Sequence, residues 1–176
     1  MNRIAVVIFA GVIGLIPFCN AEKPLRSPWD MQKIKVTNAA YTCPEPLHLS
    51  PDLTTSGFYS DSKSSIIDPV KWKAYTESAG PYKKLGDLAV AAADAYQATG
   101  SRQAAECVLK LEKTAALDKA FTGKMSSGQA YYVQGWVIGA LGIAYLKIRD
   151  SRVVDREDAK LLTSWMKTVS KQTMDY

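Results

Sequence analysis

Apolar positions recur along this chain at helical spacing and almost never with the alternation of strands. Between residues 82 and 99, Leu85, Leu88, Ala89, Ala92 and Tyr96 return at intervals of three and four, which predicts an amphipathic helix stopped by Gly100. Ser101 restarts a helix on which Ala104, Cys107, Val108, Leu111 and Ala115 share one face, and the near-absent linker makes the pair an antiparallel hairpin. Upstream, Asp68-Pro69 reads as a cap followed by proline at the first helical position; Val70, Trp72, Ala74 and Tyr75 follow, until the helix ends or kinks at Gly80-Pro81. From Ser126-Gly128 to Ile148, apolar residues including Tyr131, Val133, Trp136, Val137, Leu141 and Tyr145 are spread all round the helix, which predicts burial. Gly135, Gly139 and Gly142 fall on one face of it, as simple packing at a close helix approach requires. Asp155 caps a last helix with the stripe Leu161, Leu162, Trp165, Met166 and Val169, running almost to Tyr176. No strand signal follows residue 60. The pattern predicts an all-α protein of stacked antiparallel helical hairpins in series. Each hairpin buries one broad face and needs a neighbour, so an apolar surface is expected at the open end of the second.

The N-terminus reads differently. Arg3 precedes an apolar run from Ile4 to Phe18 and then Cys19-Asn20-Ala21, the layout of a cleavable export signal over residues 1–21. The run is shorter than the roughly twenty residues a membrane span needs, and cleavage after Ala21 leaves Glu22 first, with no membrane attachment thereafter. Bulky Phe18 before Cys19 disfavours lipid modification. Residues 22–53, rich in Pro, Lys, Ser and Thr, show no sustained period and read as an irregular lead-in.

Export changes the meaning of the cysteines and the charge. Of three cysteines, Cys43 and Cys107 remain, and an even pair in an oxidising compartment reads as a disulfide, the alternative being two separate buried thiols. Loss of Arg3, the one charged residue in the signal, takes the net charge from +5 to +4, a modest excess that suits an acidic polymer outside the cytoplasm and not nucleic acid. The single histidine, His48, lies in irregular Pro-Leu-His-Leu-Ser and reads as a loop residue. A Ser-His-Asp triad or a histidine-based metal cluster cannot be assembled around it, and no phosphate-binding glycine loop or dinucleotide fingerprint is present. No cofactor and no metal are expected.

Three segments carry a resemblance: Ser56-Gly57-Phe58-Tyr59-Ser60-Asp61-Ser62-Lys63, then Ser126-Ser127-Gly128-Gln129-Ala130-Tyr131-Tyr132-Val133-Gln134-Gly135-Trp136, then Ala144-Tyr145-Leu146-Lys147-Ile148-Arg149. In this order, with Cys43-Pro44 ahead of them, they resemble the mannuronate-specific alginate lyases of polysaccharide lyase family five, over roughly residues 41–176. The resemblance implies part of an incomplete α/α toroid over 69–176, corresponding to the N-terminal half of the family's length, with a lid-like loop over 54–68. It implies a periplasmic enzyme, monomeric when full length, that cleaves β-1,4 bonds of alginate (polymannuronate) by β-elimination.

Site residues follow from the same resemblance. Ser56, Gly57, Tyr59 and Lys63 of the lid are implied to contact the polymer, the lysine neutralising a uronate carboxylate while the ring packs on a sugar; the competing reading is a solvated loop. Ser127, Gly128 and Gln129 match a cleft-lining turn, where free N–H groups at a helix start suit a carboxylate. Ser126 and Gln129 also have capping-box spacing, so Gln129 has a structural alternative. Trp136 and Tyr132, one turn apart, form either a stacking platform for pyranose rings or part of the core, and the apolarity of their helix favours the core. The family's catalytic histidine lies in an Asn-Asn-His-Ser-Tyr-Trp motif, with a tyrosine and an arginine further on. No such motif occurs in these residues, so the catalytic residues are unknown. The rival reading is a noncatalytic periplasmic helical module binding an acidic glycan or a protein partner.

Overall fold

The computed structural model describes residues 33–176, together with Pro28; the expected export signal lies outside the described residues. Four helices carry the chain: α1 (Pro69–Thr99), α2 (Arg102–Leu117), α3 (Gly128–Ile148) and α4 (Arg156–Met174). Among the described residues there is no strand, only three isolated bridges. The fold is all-α, with α1 packed along both α2 and α3, and α4 resting on α2 and α3.

Helix α1 starts where the sequence places it. The Asp68 carboxylate accepts the N–H groups of Val70 at 2.9 Å and Lys71 at 3.1 Å, filling donors that a helix start leaves open. It does not end at Gly80-Pro81 but runs through it. Proline inside a helix forfeits one backbone bond and costs about 3 kcal/mol. Buried Ala79, Tyr82 and Leu85 flank the break, and the Tyr82 hydroxyl donates to the carbonyls of Ser50 (3.1 Å) and Asp52 (2.8 Å), so tertiary packing carries the helix across. The helix stops at Gly100 in the left-handed conformation (φ 71°), its N–H bonded to the Tyr96 carbonyl. A Cβ at Gly100 would lie 2.0 Å from the Lys35 carbonyl oxygen, so both conformation and space require glycine.

The irregular segment is a strap laid along α2. Thr37 pairs with Ser101, Cys43 is disulfide-bonded to Cys107, His48 bonds Asp118, and Leu53 pairs with Met125. Its pairings therefore advance in step with the partner chain, a register no periodicity in residues 33–53 announces.

Helix α2 buries Ala104, Cys107, Val108, Leu111 and Ala115 as its spacing predicts. Helix α3 departs from expectation. It is not buried all round: Tyr132, Trp136 and Ile143 are exposed. Nor do its three glycines make one contact face, because a Cβ at Gly139 or Gly142 would meet open space and only Gly135 faces another helix, at Thr173 of α4. The close approach between α1 and α3 is made by Gly86, opposite Val137 and Ala140. Among the described residues no helix is long and apolar enough to cross a membrane.

A buried amide network ties α3 and α4 to the α2–α3 loop. Gln134 donates to the Phe121 carbonyl (2.9 Å) and to Gln172 (3.2 Å) and accepts from Thr173 (2.8 Å), while Gln172 donates to the Gly123 carbonyl (2.7 Å). Trp165 of α4 adds an N–H bond to the Ala120 carbonyl at 2.8 Å. Buried polar groups satisfied in this way set one geometry for the turn leading into α3.

Candidate functional site

The loop before α1 is built round one carboxylate. Asp61 accepts the backbone N–H groups of Lys63 (3.1 Å), Ser65 (3.0 Å) and Ile66 (2.7 Å) and the Ser65 hydroxyl (2.8 Å). The Ile66 N–H, then the Ser65 hydroxyl, hold its pKa below the usual carboxylate value. The Tyr59–Ile67 bridge closes the loop's neck, and Phe58 anchors it on α1, its ring 4.7 Å from Trp72 and 4.8 Å from Tyr75. Lys71 donates to the Tyr59 carbonyl at 3.1 Å. Tyr59 is half-buried at this neck, while Lys63 stands exposed at the tip without an ion pair among the described residues.

The start of α3 meets the root of that loop. The Thr55 carbonyl accepts the hydroxyls of Ser126 (2.9 Å) and Ser127 (2.5 Å), and the Thr55 N–H donates back to Ser126 (2.9 Å). Ser56 and Gly57, both exposed, therefore leave directly from the half-buried Ser127–Gly128–Gln129 turn. The capping box expected between Ser126 and Gln129 is absent: Ser127 is the cap, its hydroxyl oxygen accepting from the Ala130 N–H, while the Ser126 oxygen accepts the Thr55 N–H instead. The Gln129 amide has no hydrogen-bond partner among the described residues. Beside it, Tyr176 stacks on Tyr131 with centroids 4.0 Å apart, and a Cβ on Gly128 would come within 2.6 Å of its hydroxyl.

Two turns along α3, Tyr132 and Trp136 are 60% and 61% exposed, with ring planes 18° apart and centroids at 6.2 Å. The core placement favoured by the helix's composition is thus overturned, because the apolar side chains that fill the core come from the opposite face, through Val133, Val137 and Leu141. Trp136 lines a cleft of about 380 Å³ between α1 and α3, together with buried Gly86 and exposed Lys83 and Asp87. Lys83 and Asp87 also line a second cleft of about 210 Å³ with Trp72, Tyr75 and Gly80. Sharing Lys83 and Asp87, the two lie in line along α1 from Trp72 at the loop's anchor to Asp94, about 30 Å at 1.5 Å per residue, and together are called the groove. The Lys83 ammonium lies 5.7 Å from the Tyr75 ring centroid.

The structure thus ties Thr55, next to Ser56 and Gly57, to Ser126 and Ser127, sets Trp136 in the groove wall, and leaves Lys63 apart at the loop tip, while Tyr59, Ser127, Gly128 and Gln129 line neither cleft. Sequence reasoning missed Lys83, Trp72 and Tyr75 as groove residues. The available signal was a pair of aromatic residues three apart on a helix whose other outward positions are polar. His48 is far from catalytic form: its side chain is 81% exposed on the strap, and Nδ1 lies 2.9 Å from Asp118.

No protein-family profile matches the chain. In sequence it is 26% identical over 156 residues to a protein of Stenotrophomonas maltophilia (strain K279a) named a polysaccharide lyase, a match covering 87% of this chain and 46% of that protein. In structure it resembles the apo form of alginate lyase A1-III, with a TM-score of 0.58 and 17% identity over 87% of this chain and 42% of that one. The chain spans about half the length of each. These matches bear out the resemblance carried by the three motifs: the chain is related in sequence to a polysaccharide lyase and shares its helical fold with part of an alginate lyase.

Proposed function

We propose that these residues form the lid and one wall of the substrate groove of a polysaccharide lyase that cuts β-1,4 bonds of polymannuronate, in alginate, by β-elimination in the periplasm. The observation that carries this reading is exposed Trp136, stacked with Tyr132, in the wall of a groove that Lys83 also lines. An aromatic face packs against the apolar face of a pyranose, and a neighbouring ammonium balances a uronate carboxylate. Elimination needs that carboxylate neutralised so the C5 proton becomes removable, a base to take it, and an acid for the departing O4. Lys83 and the N–H groups at the start of α3 serve the first need, Trp136 and Tyr132 hold the ring, and Ser56, Gly57 and Tyr59 close over the loop end of the groove. The base and the acid are not assigned to any residue of this chain. Export is supported by the Cys43–Cys107 disulfide, a bond that persists in oxidising compartments.

The test has two parts. With mannuronate oligomers, tryptophan fluorescence is expected to saturate, and Trp136→Ala to weaken the affinity by roughly three- to tenfold, the worth of one aromatic contact. With polymannuronate and the complete protein, the unsaturated product is expected to absorb at about 235 nm. Saturable binding without that product selects the noncatalytic acidic-glycan module, a reading favoured by the placement of His48 outside the groove. Absence of both overturns the proposal.

A further inference from the structure

A second cleft, of about 660 Å³, opens where α1 ends, α2 begins and α3 turns toward α4. It adjoins the Asp94 end of the groove but lies about 20 Å along α1 from Lys83, thirteen residues before Tyr96. The Lys147–Asp94 ion pair stands between them, Asp94 lining the groove and Lys147 this cleft. Four cationic side chains line it: Lys33, Arg102, Lys147 and Arg152. Lys147 is matched by Asp94 and Arg102 by Glu106, while the cleft's own acid, Asp150, lies 3.6 Å from Arg149. Lys33 and Arg152 have no ion-pair partner among the described residues.

One polar group inside the cleft is also unpartnered. Tyr96 is 3% exposed, and its hydroxyl makes no hydrogen bond to any described residue. Burial, and then the charge of Asp150, which lines the same cleft, raise its pKa. Were the cations there only to complement the carbonyl ends of α1 and α3, their donors would be bonded to those carbonyls. Neither Lys33 nor Arg152 donates to a described group, and Arg152 is held in the left-handed conformation (φ 65°), which a bulky side chain adopts at a cost.

We propose that this cleft is an anion-binding site, taking a carboxylate or phosphate group between Lys33 and Arg152 with the Tyr96 hydroxyl as a third donor. An oxyanion accepts from all three, and a guanidinium beside an ammonium and a phenol is a donor set for one such group. The site does not depend on the polysaccharide groove.

Calorimetric titration of the full chain at low ionic strength, with inorganic phosphate in one arm and a uronic-acid monosaccharide in the other, tests it. Saturable one-to-one binding of either is expected, and the arm that saturates identifies the source of the anion. Arg152→Asn, which suits the same backbone conformation and alters an exposed residue, is expected to weaken binding roughly tenfold. Tyr96→Phe, which keeps the buried ring, is expected to weaken it severalfold, and Trp136→Ala in the other groove to leave it unchanged. No saturation of either ligand below about 10 mM, or binding that Arg152→Asn leaves intact, overturns the assignment.

Discussion

Replacing Glu112 with methionine is expected to stabilise this protein at neutral pH. Glu112 lies on the buried face of α2, wholly excluded from solvent, and neither carboxyl oxygen has a hydrogen-bond partner. Burial pushes its pKa well above the carboxylate range, so the folded chain holds a proton that the unfolded chain has released. Because the folded pKa is the raised one, the penalty is absent below the unfolded carboxylate pKa. It grows as pH rises from there toward the folded value, at about 1.4 kcal/mol per pH unit. An unsatisfied buried polar group costs a further ~1–3 kcal/mol, which methionine of similar shape avoids. The expected gain at pH 7 is about 2 kcal/mol or more, a Tm rise of roughly 4–8 °C for a chain of this size. Tyr145 of α3 is coupled to Glu112: its pKa is raised first by burial and then by the Glu112 charge, a repulsion that vanishes while Glu112 is protonated. The Lys113–Asp158 ion pair between α2 and α4 is common to both proteins. Urea melts of the two from about pH 4 to about pH 8 should therefore diverge with rising pH. A methionine variant less stable at neutral pH, or a difference equal at every pH, would refute an unpaired buried acid.

Pro81→Ala is expected to add about 1–3 kcal/mol in urea unfolding, because the Glu77 carbonyl regains an N–H donor in a helix already continuous there; unchanged stability would mean the backbone already compensates. Replacing Cys43 and Cys107 together by serine is expected to cost roughly 4 kcal/mol for a separation of 64 residues, read as a lower Tm than the oxidised parent, and coincident melts would contradict it. The lowered pKa of Asp61 means its carboxylate orders the loop above the unfolded carboxylate pKa and ceases to as pH falls through the lower folded value. Asp61→Ala should give fast amide exchange at Ser65 and Ile66 already at neutral pH, with the parent matching it only in acid; equal protection at pH 7 removes Asp61 as the organiser.

The helices were legible where one face had to be apolar and the other had to stay wet. That condition holds for α2 and α4, so Val108 and Leu111, or Leu162 and Trp165, could be placed in the core from spacing alone. It fails for α3, whose composition is apolar on every side, so periodicity carried no information about which side faced out. The disulfide was legible from parity and compartment. The strap was not, because the pairings of Thr37 and Leu53 are backbone contacts that depend on no side-chain pattern. The cap of α3 was misread for a related reason: two adjacent serines offer equal capping chemistry, and only the Thr55 N–H, which the Ser126 oxygen accepts, leaves the Ser127 oxygen to cap the helix.

Departures from local rules fall on one surface. Gly80, which precedes the proline inside α1 and has open space beside it, and Trp136, an exposed ring on an apolar helix, both line the groove. Such conflicts in natural chains tend to collect at functional sites. A covering apolar helix would account for the exposed rings equally well, but it would also have to cover Lys83 and Asp87, which line the groove, and removing unpaired charges from water costs several kcal/mol each. A ligand with apolar ring faces and hydrated polar edges covers Trp136 while leaving those charges solvated or paired with its own groups. The groove therefore suits a sugar chain better than a helix, and under the proposed function a uronate carboxylate would supply the counter-charge that Lys83 lacks among the described residues.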